Sequence, residues 1–293
     1  MVGKALQCEL QKDKNCILLT PQRHELDYTN YLEVDRFFKK NKPQYVYILA
    51  AKVGGILANL KDQVGFYEEN QIIAVNLFRA IKKYNVKKSL FLGSSCIYPR
   101  HSKQPIKESF LLTGGLEPTN EGYALAKISA IKLAEFYWKQ FGVKIICPIS
   151  CNIYGTNDNY NLKTSHVLSA LIKRFYDGRN KNKILLWGSG KSKREFIHVS
   201  DVASGLVFLM KKYNSFLPIN LGTGQDISIK NLAILISQKI GYTGKILWNN
   251  NMPDGMPRKI LNISKLSNLG FKCKIDLNNG INKSIDEYKK LSK

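Results

Sequence analysis

The sequence predicts a doubly wound α/β fold: a parallel sheet covered by helices on both faces, lacking its first strand, with a smaller α/β cap. Three observations predict it. Nearly continuous apolar runs recur at Tyr45 to Ala50, Ser89 to Gly93 and Lys144 to Ile149. Amphipathic stretches separate them, as crossover helices would. Strands that are apolar without alternation are buried on both faces, the situation in a parallel sheet. The third observation is at the start, where a helix-like stretch has no strand before it.

Taken in order, Met1-Val2-Gly3-Lys4-Ala5-Leu6 reads as the end of a turn and the helix after it. Cys16 to Thr20 reads as a short buried strand. Tyr31 to Lys40 reads as a helix stopped by Asn41-Lys42-Pro43, since proline cannot continue one. Glu68 to Lys83 is helical, with apolar positions at 72, 73, 77, 80 and 81. Glu121 to Phe141 is a long helix. The second part is less regular. Ser165 to Tyr176 is a helix and Ile184 to Gly188 a strand. Val202 to Lys211 is a helix, Ile219 to Gly222 a strand, and Ser228 to Ile240 a helix. Residues 253–257 form a loop, and a helix near Ile281 to Lys290 closes the chain. Residues 1–155 are expected to form the sheet domain, with 198–227 returning to it. Residues 156–197 and 228–293 are expected to form the cap.

A dinucleotide-binding sheet opens with a strand and a glycine-rich turn, which bring backbone N–H groups to the pyrophosphate. Only Gly3 of that fingerprint is present. Two readings compete: the chain continues upstream of Met1, which is the expectation, or it is naturally short and binds the dinucleotide poorly.

Composition narrows the function classes. The 293 residues are 44% hydrophobic, enough for a substantial core, and hold no apolar run of about 18 residues that would span a membrane. The N-terminus lacks the pattern of a signal peptide. Six scattered cysteines include no CxxC pair, so neither a metal site nor a disulfide framework is expected. A soluble, reduced, cytoplasmic protein is the expectation. The net charge of +23 is spread along the chain without a basic block. It therefore reads as lysine-rich solvated faces, compatible with a phosphorylated substrate, rather than as a nucleic-acid or other polyanion surface; without a spanning run, no membrane partner is expected either.

Tyr123 and Lys127 stand four residues apart on the predicted long helix, so they share one face. An ammonium beside a phenol favours the phenolate, and a lowered Tyr123 pKa is expected. A serine of Ser94-Ser95 could hydrogen-bond the same carbonyl oxygen. The bare spacing also suits a buried tyrosine with a solvated lysine.

The stretches Phe91-Leu92-Gly93-Ser94-Ser95-Cys96-Ile97-Tyr98-Pro99 and Glu117 to Lys127 resemble the extended short-chain dehydrogenase/reductase superfamily, which is Rossmann-like. Ala50-Ala51-Lys52-Val53-Gly54-Gly55-Ile56 narrows the resemblance to the GDP-L-fucose synthases. So do Trp187-Gly188-Ser189-Gly190, Arg194-Glu195-Phe196-Ile197-His198-Val199 and Pro253 to Lys259. The segments keep that family's order across nearly the whole chain. The departures are the absent first strand and turn, and Gly122 where proline is expected.

The resemblance implies an NADPH-dependent enzyme acting on GDP-4-keto-6-deoxy-D-mannose. It would epimerise C3 and C5 and reduce C4, giving GDP-L-fucose. Ser94, Tyr123 and Lys127 would be the reduction triad, with Lys127 also touching the nicotinamide ribose. Cys96 and His166 would be the epimerisation pair; outside the motif they read as a small buried residue and a helix-start residue. NADP(H) would lie along Gly3, Arg23, Ala50, Ala51 and Lys52, with Asn152, Tyr154 and His166 near the nicotinamide and sugar. Arg23 follows the strand expected at Cys16 to Thr20, where no acidic residue is seen; an arginine there suits a 2′-phosphate, though it also reads as an ordinary surface residue. Arg174, Trp187, Arg194 and Arg258 match the GDP-sugar side, where arginines grip phosphate and an indole packs on a ring. Trp187 reads equally as a cap-core aromatic. A homodimer through helices of the sheet domain is expected. A related GDP-heptose enzyme and a non-catalytic nucleotide-sugar binder are the alternatives.

Overall fold

The computed structural model describes residues 1–251 and 255–292. The parallel sheet is built from β1 (Tyr45–Ile48), β2 (Lys88–Phe91), β3 (Gly93–Ser94), β4 (Ile145–Ile146), β5 (Pro148–Ser150) and β9 (Ile219–Leu221). β1 pairs with β2, and β2 with β4 at Ser89↔Ile145 and Leu90↔Ile146. Further along the same rows, β3 pairs with β5 and β5 with β9. Leu90, Ile145, Ile146, Ile149, Ile219 and Leu221 are wholly buried, as apolar runs covered on both faces require.

Helices α4 (Gln63–Lys83) and α5 (Glu121–Phe141) pack together along the sheet, with α2 (Tyr31–Asn41) against α4. Helices α1 (Val2–Leu10) and α7 (Val199–Lys212) pack on each other, and α7 lies on β2 and β5. Local signals set the ends. Asn30 caps α2 by accepting from Leu32 and Glu33 N–H, and Asp62 caps α4 through Gly65 N–H. Gly142, at φ 68°, closes α5.

The strand expected at Cys16 to Thr20 is not formed. Those residues lie outside any ladder, Ile17 is 90% exposed, and Tyr45 on neighbouring β1 is 53% exposed. A strand is held by ladder hydrogen bonds. Among the described residues no strand lies on the free side of β1 to supply them, so apolar character alone does not bury this run.

The rest of the chain centres on β8 (Lys193–His198), which pairs with β6 (Asn152–Tyr154), β10 (Asp226–Ser228) and β12 (Arg258–Lys259). β7 (Lys183–Trp187) pairs in parallel with β11 (Lys245–Asn249). A second core gathers α6 (Val167–Asp177), α8 (Ile229–Ile240) and α10 (Leu277–Leu291) through Leu168, Ile172, Phe175, Ile236, Ile281 and Ile285. Leu261, Leu266 and Phe271 pack with the core of the sheet. Short helices α3 (Ile56–Lys61) and α9 (Ser264–Asn268) complete the fold.

Candidate active site

The carboxyl ends of β2 and β3 meet the start of α5. After β3 the chain enters a tight turn at Ser95–Ile97, where Cys96 N–H points at Ser94 Oγ, 3.5 Å away. Tyr123 and Lys127 come from the first turns of α5. Lys127 is 4% exposed and donates from Nζ to Leu92 O at 2.9 Å. Its Nζ lies 4.3 Å from the centre of the Phe91 ring and 5.8 Å from that of Tyr123. Phe66 meets Tyr123 edge-on at 6.4 Å. Gly122 is a requirement of this packing: a Cβ there would lie 2.5 Å from Gln63 O, and its N–H donates to Gln63 Oε1. Proline could satisfy neither condition.

The electrostatics correct one expectation. Tyr123 is not made more acidic by Lys127. Burial pushes its phenol up from 10.0, and the Cys96 thiol pushes the same way. Lys127 itself is driven down to about 8 by burial, with Cys96 and Cys147 opposing. Spacing along a helix placed the two groups correctly, but the loss of solvent sets the direction of both shifts. The Cys96 thiol is likewise pushed up by burial, opposed by Lys259, the Ser94 hydroxyl and Lys127. Tyr123 therefore stands as a phenol at neutral pH, a proton donor.

His166 is exposed and caps α6 without a side-chain hydrogen bond. Its loop abuts the loop after β1, since a Cβ on Gly55 would lie 3.4 Å from Ser165 O. Asn152 donates to Glu195 O at 2.7 Å, which ties β6 to β8, and Tyr154 is buried in the second core. Three buried polar atoms around these loops have no partner among the described residues: Asn120 Oδ1, Ser150 Oγ and Ser165 Oγ. Ser150 faces Ser94 in register. Orphaned buried groups are costly in a protein left alone. Unsatisfied groups next to Tyr123, Ser94 and His166 in the chain and the sheet suit a polar ligand such as a nicotinamide riboside.

The adenine end is less open-handed. Ala50, Ala51 and Lys52 follow β1, and Asn70 clamps this loop by accepting from Lys52 N–H and donating to Lys52 O. Lys52 Nζ pairs with Asp62 at 2.8 Å and Glu69 at 3.5 Å. Arg23 pairs with Glu69 at 3.2 Å, at a cavity of about 440 Å³ that Asp27 and Glu68 also line. The carboxylates beside Arg23 come from Asp27 and from α4, not from the end of the run at Cys16 to Thr20. Gly3 lies in the first turn of α1, and a Cβ there would meet nothing within 4 Å.

On the sugar-nucleotide side, Trp187 is 38% exposed, so it is no core aromatic. Arg174, in the last turn of α6, donates to Leu185 O. Arg258 pairs with Asp226 at 2.5 Å, and the next residue, Lys259, is opposite Arg194 in the β12–β8 register. Pro253 and Asp254 of the loop motif lie outside the described residues. Two residues escaped sequence reasoning. Lys259 is half-buried, and desolvation pushes its ammonium below 10.5. Glu195 is wholly buried and accepts N–H bonds from Thr223, Gly224 and Leu261, knitting β8 to two loops.

Comparison with known proteins agrees with this arrangement. Residues 1–222 match the NAD dependent epimerase/dehydratase family. The chain is 44% identical over 290 residues to a putative GDP-L-fucose synthase 2 of Arabidopsis thaliana, covering 98% of this chain and 88% of that protein. Among solved structures it resembles a GDP-6-OMe-4-keto-L-xylo-heptose reductase from C. jejuni, with TM-score 0.94 and 32% identity over 100% of this chain and 95% of that one. It also resembles the GDP-mannoheptose C4 reductase from Campylobacter jejuni with NADP bound, with TM-score 0.91 and 34% identity over 98% and 95% of the two chains.

Proposed function

This chain belongs to the NAD dependent epimerase/dehydratase family, among the GDP-L-fucose synthases, and on that premise we propose that it converts GDP-4-keto-6-deoxy-D-mannose to GDP-L-fucose. The reaction epimerises C3 and C5 and reduces C4. The observation that carries the reading is the meeting of Ser94, Cys96, Tyr123 and buried Lys127 at one strand end.

Bound NADPH supplies the hydride for C4. Cys96, as thiolate, takes the protons from C3 and C5, which are acidic because the C4 ketone delocalises the carbanion. His166 returns a proton to the opposite face. Ser94 hydrogen-bonds the C4 oxygen and Tyr123 gives it a proton as the alkoxide develops. Lys127 holds charge beside the phenol. Ala50, Ala51, Lys52 and Asn152 would hold the cofactor, with Arg23 at the 2′-phosphate and Gly3 near the pyrophosphate. Arg174, Trp187, Arg194 and Arg258 would hold the GDP-sugar. Six unpaired cysteines suit a cytoplasmic setting. Exposed Val64 and Tyr67 on α4, with Leu125 and Phe136 on α5, support a homodimer through these helices.

The test is NADPH consumption with GDP-4-keto-6-deoxy-mannose, with the product identified by NMR. Formation of GDP-L-fucose is expected. A 4-keto GDP-heptose should run in parallel, because the two solved structures compared above are GDP-heptose reductases. Higher kcat/KM on the heptose, with no exchange at C3 and C5, would replace this reading.

A further inference from the structure

We propose that the end of the sheet opposite the active site is a docking face for an anionic phospholipid surface. In a parallel sheet every crossover helix ends, and every strand begins, on that side. Segments 39–42, 82–88, 139–144 and 211–213 lie there, at the ends of α2, α4, α5 and α7. Together they hold eleven lysines and no carboxylate.

The hydrogen bonds stitch these segments into one surface. Lys87 N–H donates to Gln44 O, and Ser89 N–H to Lys144 O. Lys88 Nζ donates to Met210 O and Tyr213 O, both at 2.6 Å. Lys88 is therefore structural, and the other ten lysines are exposed. Among the described residues only Lys83 and Lys139 of the set are ion-paired, with Asp35 and Glu135. A lysine in the last turn of a helix offsets the helix dipole and needs no partner to explain it. That reasoning does not reach Lys42, Lys87 and Lys144, which lie beyond the helix ends.

Apolar groups break through the same face: Tyr45 is 53% exposed, Phe141 46% and Leu217 50%. Basic residues around protruding apolar side chains match an interface where headgroup phosphates overlie acyl chains. Stacking of nucleic-acid bases fits less well at Phe141, because a lysine already sits over one face of its ring. Lys82 Nζ is 3.3 Å from the Phe141 centroid and Lys139 Nζ 4.8 Å from that of Phe216. In this orientation the Tyr123 end of the sheet faces away from the bilayer and stays open to substrate. The expectation of no membrane partner rested on the lack of a span, and a surface contact needs none.

The test uses the whole chain and vesicles of phosphatidylcholine with and without about one-third phosphatidylglycerol, by flotation at physiological salt. Binding to the anionic vesicles alone is expected. Each lysine held near such a surface multiplies partitioning about five-fold, so changing Lys40, Lys87, Lys144 and Lys212 to Glu should lower it at least several-hundred-fold. Changing Lys181, Lys230, Lys272 and Lys290 to Glu makes the same change in net charge on other surfaces and should cost far less. Both variants should keep wild-type turnover. If the first variant does not fold, Lys→Gln changes at both sets of sites give the same comparison. Equal losses in the two variants, or no binding by the wild type, overturn the proposal. Tighter binding to duplex DNA through the same lysines overturns it in favour of nucleic acid.

Discussion

Replacing Lys127 by Met should stabilise the protein at pH 7 while ending reduction. The ammonium is 4% exposed, and burial lowers its pKa from 10.5 to about 8. A shift of that size corresponds to about 3 kcal/mol against the charged form. Methionine keeps the length and flexibility of the side chain. It loses the bond to Leu92 O, a cost of about 1 kcal/mol. The net gain at pH 7 is about 2 kcal/mol, or roughly 4 °C in Tm for a chain of this size. The gain depends on pH. Between about 8 and 10.5 the unfolded wild type binds more protons than the folded one, so wild-type stability rises with pH through that window. The advantage of the variant should therefore shrink above pH 8 and vanish near 10. Urea denaturation at pH 7 and 9.5 reads both, and NADPH oxidation should fall at least about 10²-fold. A variant less stable than wild type at pH 7, or a difference that does not change with pH, would refute the argument that Lys127 is held at a cost.

Tyr123→Phe should abolish NADPH oxidation yet leave deuterium exchange at C3 and C5, read by NMR; loss of both would give Tyr123 a part in enolisation. Cys96→Ser should lower that exchange by about 10²–10⁴-fold, because a hydroxyl is too weak an acid to serve as the base, and wild-type exchange would return Cys96 to a packing role. His198 is 2% exposed, accepts from Ser200 N–H at Nδ1, and has its pKa pushed below 6.5 by burial. The unfolded chain then takes up a proton first as pH falls, so thermal stability should drop below pH 6.5, and His198→Asn should flatten that drop.

The sheet was legible because its strands must be apolar on both faces; Ser89 to Gly93 and Lys144 to Ile149 have no other use for such runs. Cys16 to Thr20 carries the same signal and fails, since the signal reports suitability for burial and not the presence of a neighbour. β8 was illegible as a strand because its buried positions include Glu195, whose partners Thr223 and Leu261 are 28 and 66 residues away. The same distance in sequence hid the Asn70 clamp on Lys52 and the carboxylates around Arg23. The Tyr123–Lys127 juxtaposition follows from helical spacing alone. The direction of the Tyr123 shift depends on how much water the folded chain removes, which spacing does not encode.

Burial makes each ionisation at the site costly, and the groups offset one another in pairs. Buried Lys127 and half-buried Lys259 are both pushed down by desolvation, and a Cys96 thiolate would favour the charged form of each. In return, both ammonium groups favour that thiolate. The two ammonium groups thus offset part of the burial cost of a Cys96 thiolate, though the thiol is still pushed up overall. The same negative charge pushes the Tyr123 phenol further up. Under the proposed roles this orders the chemistry. While Cys96 is the base for C3 and C5, Tyr123 is held as a phenol, so the proton needed at the C4 oxygen is kept in place during epimerisation. It is released only when the developing alkoxide, a far stronger base than the ketone, accepts it.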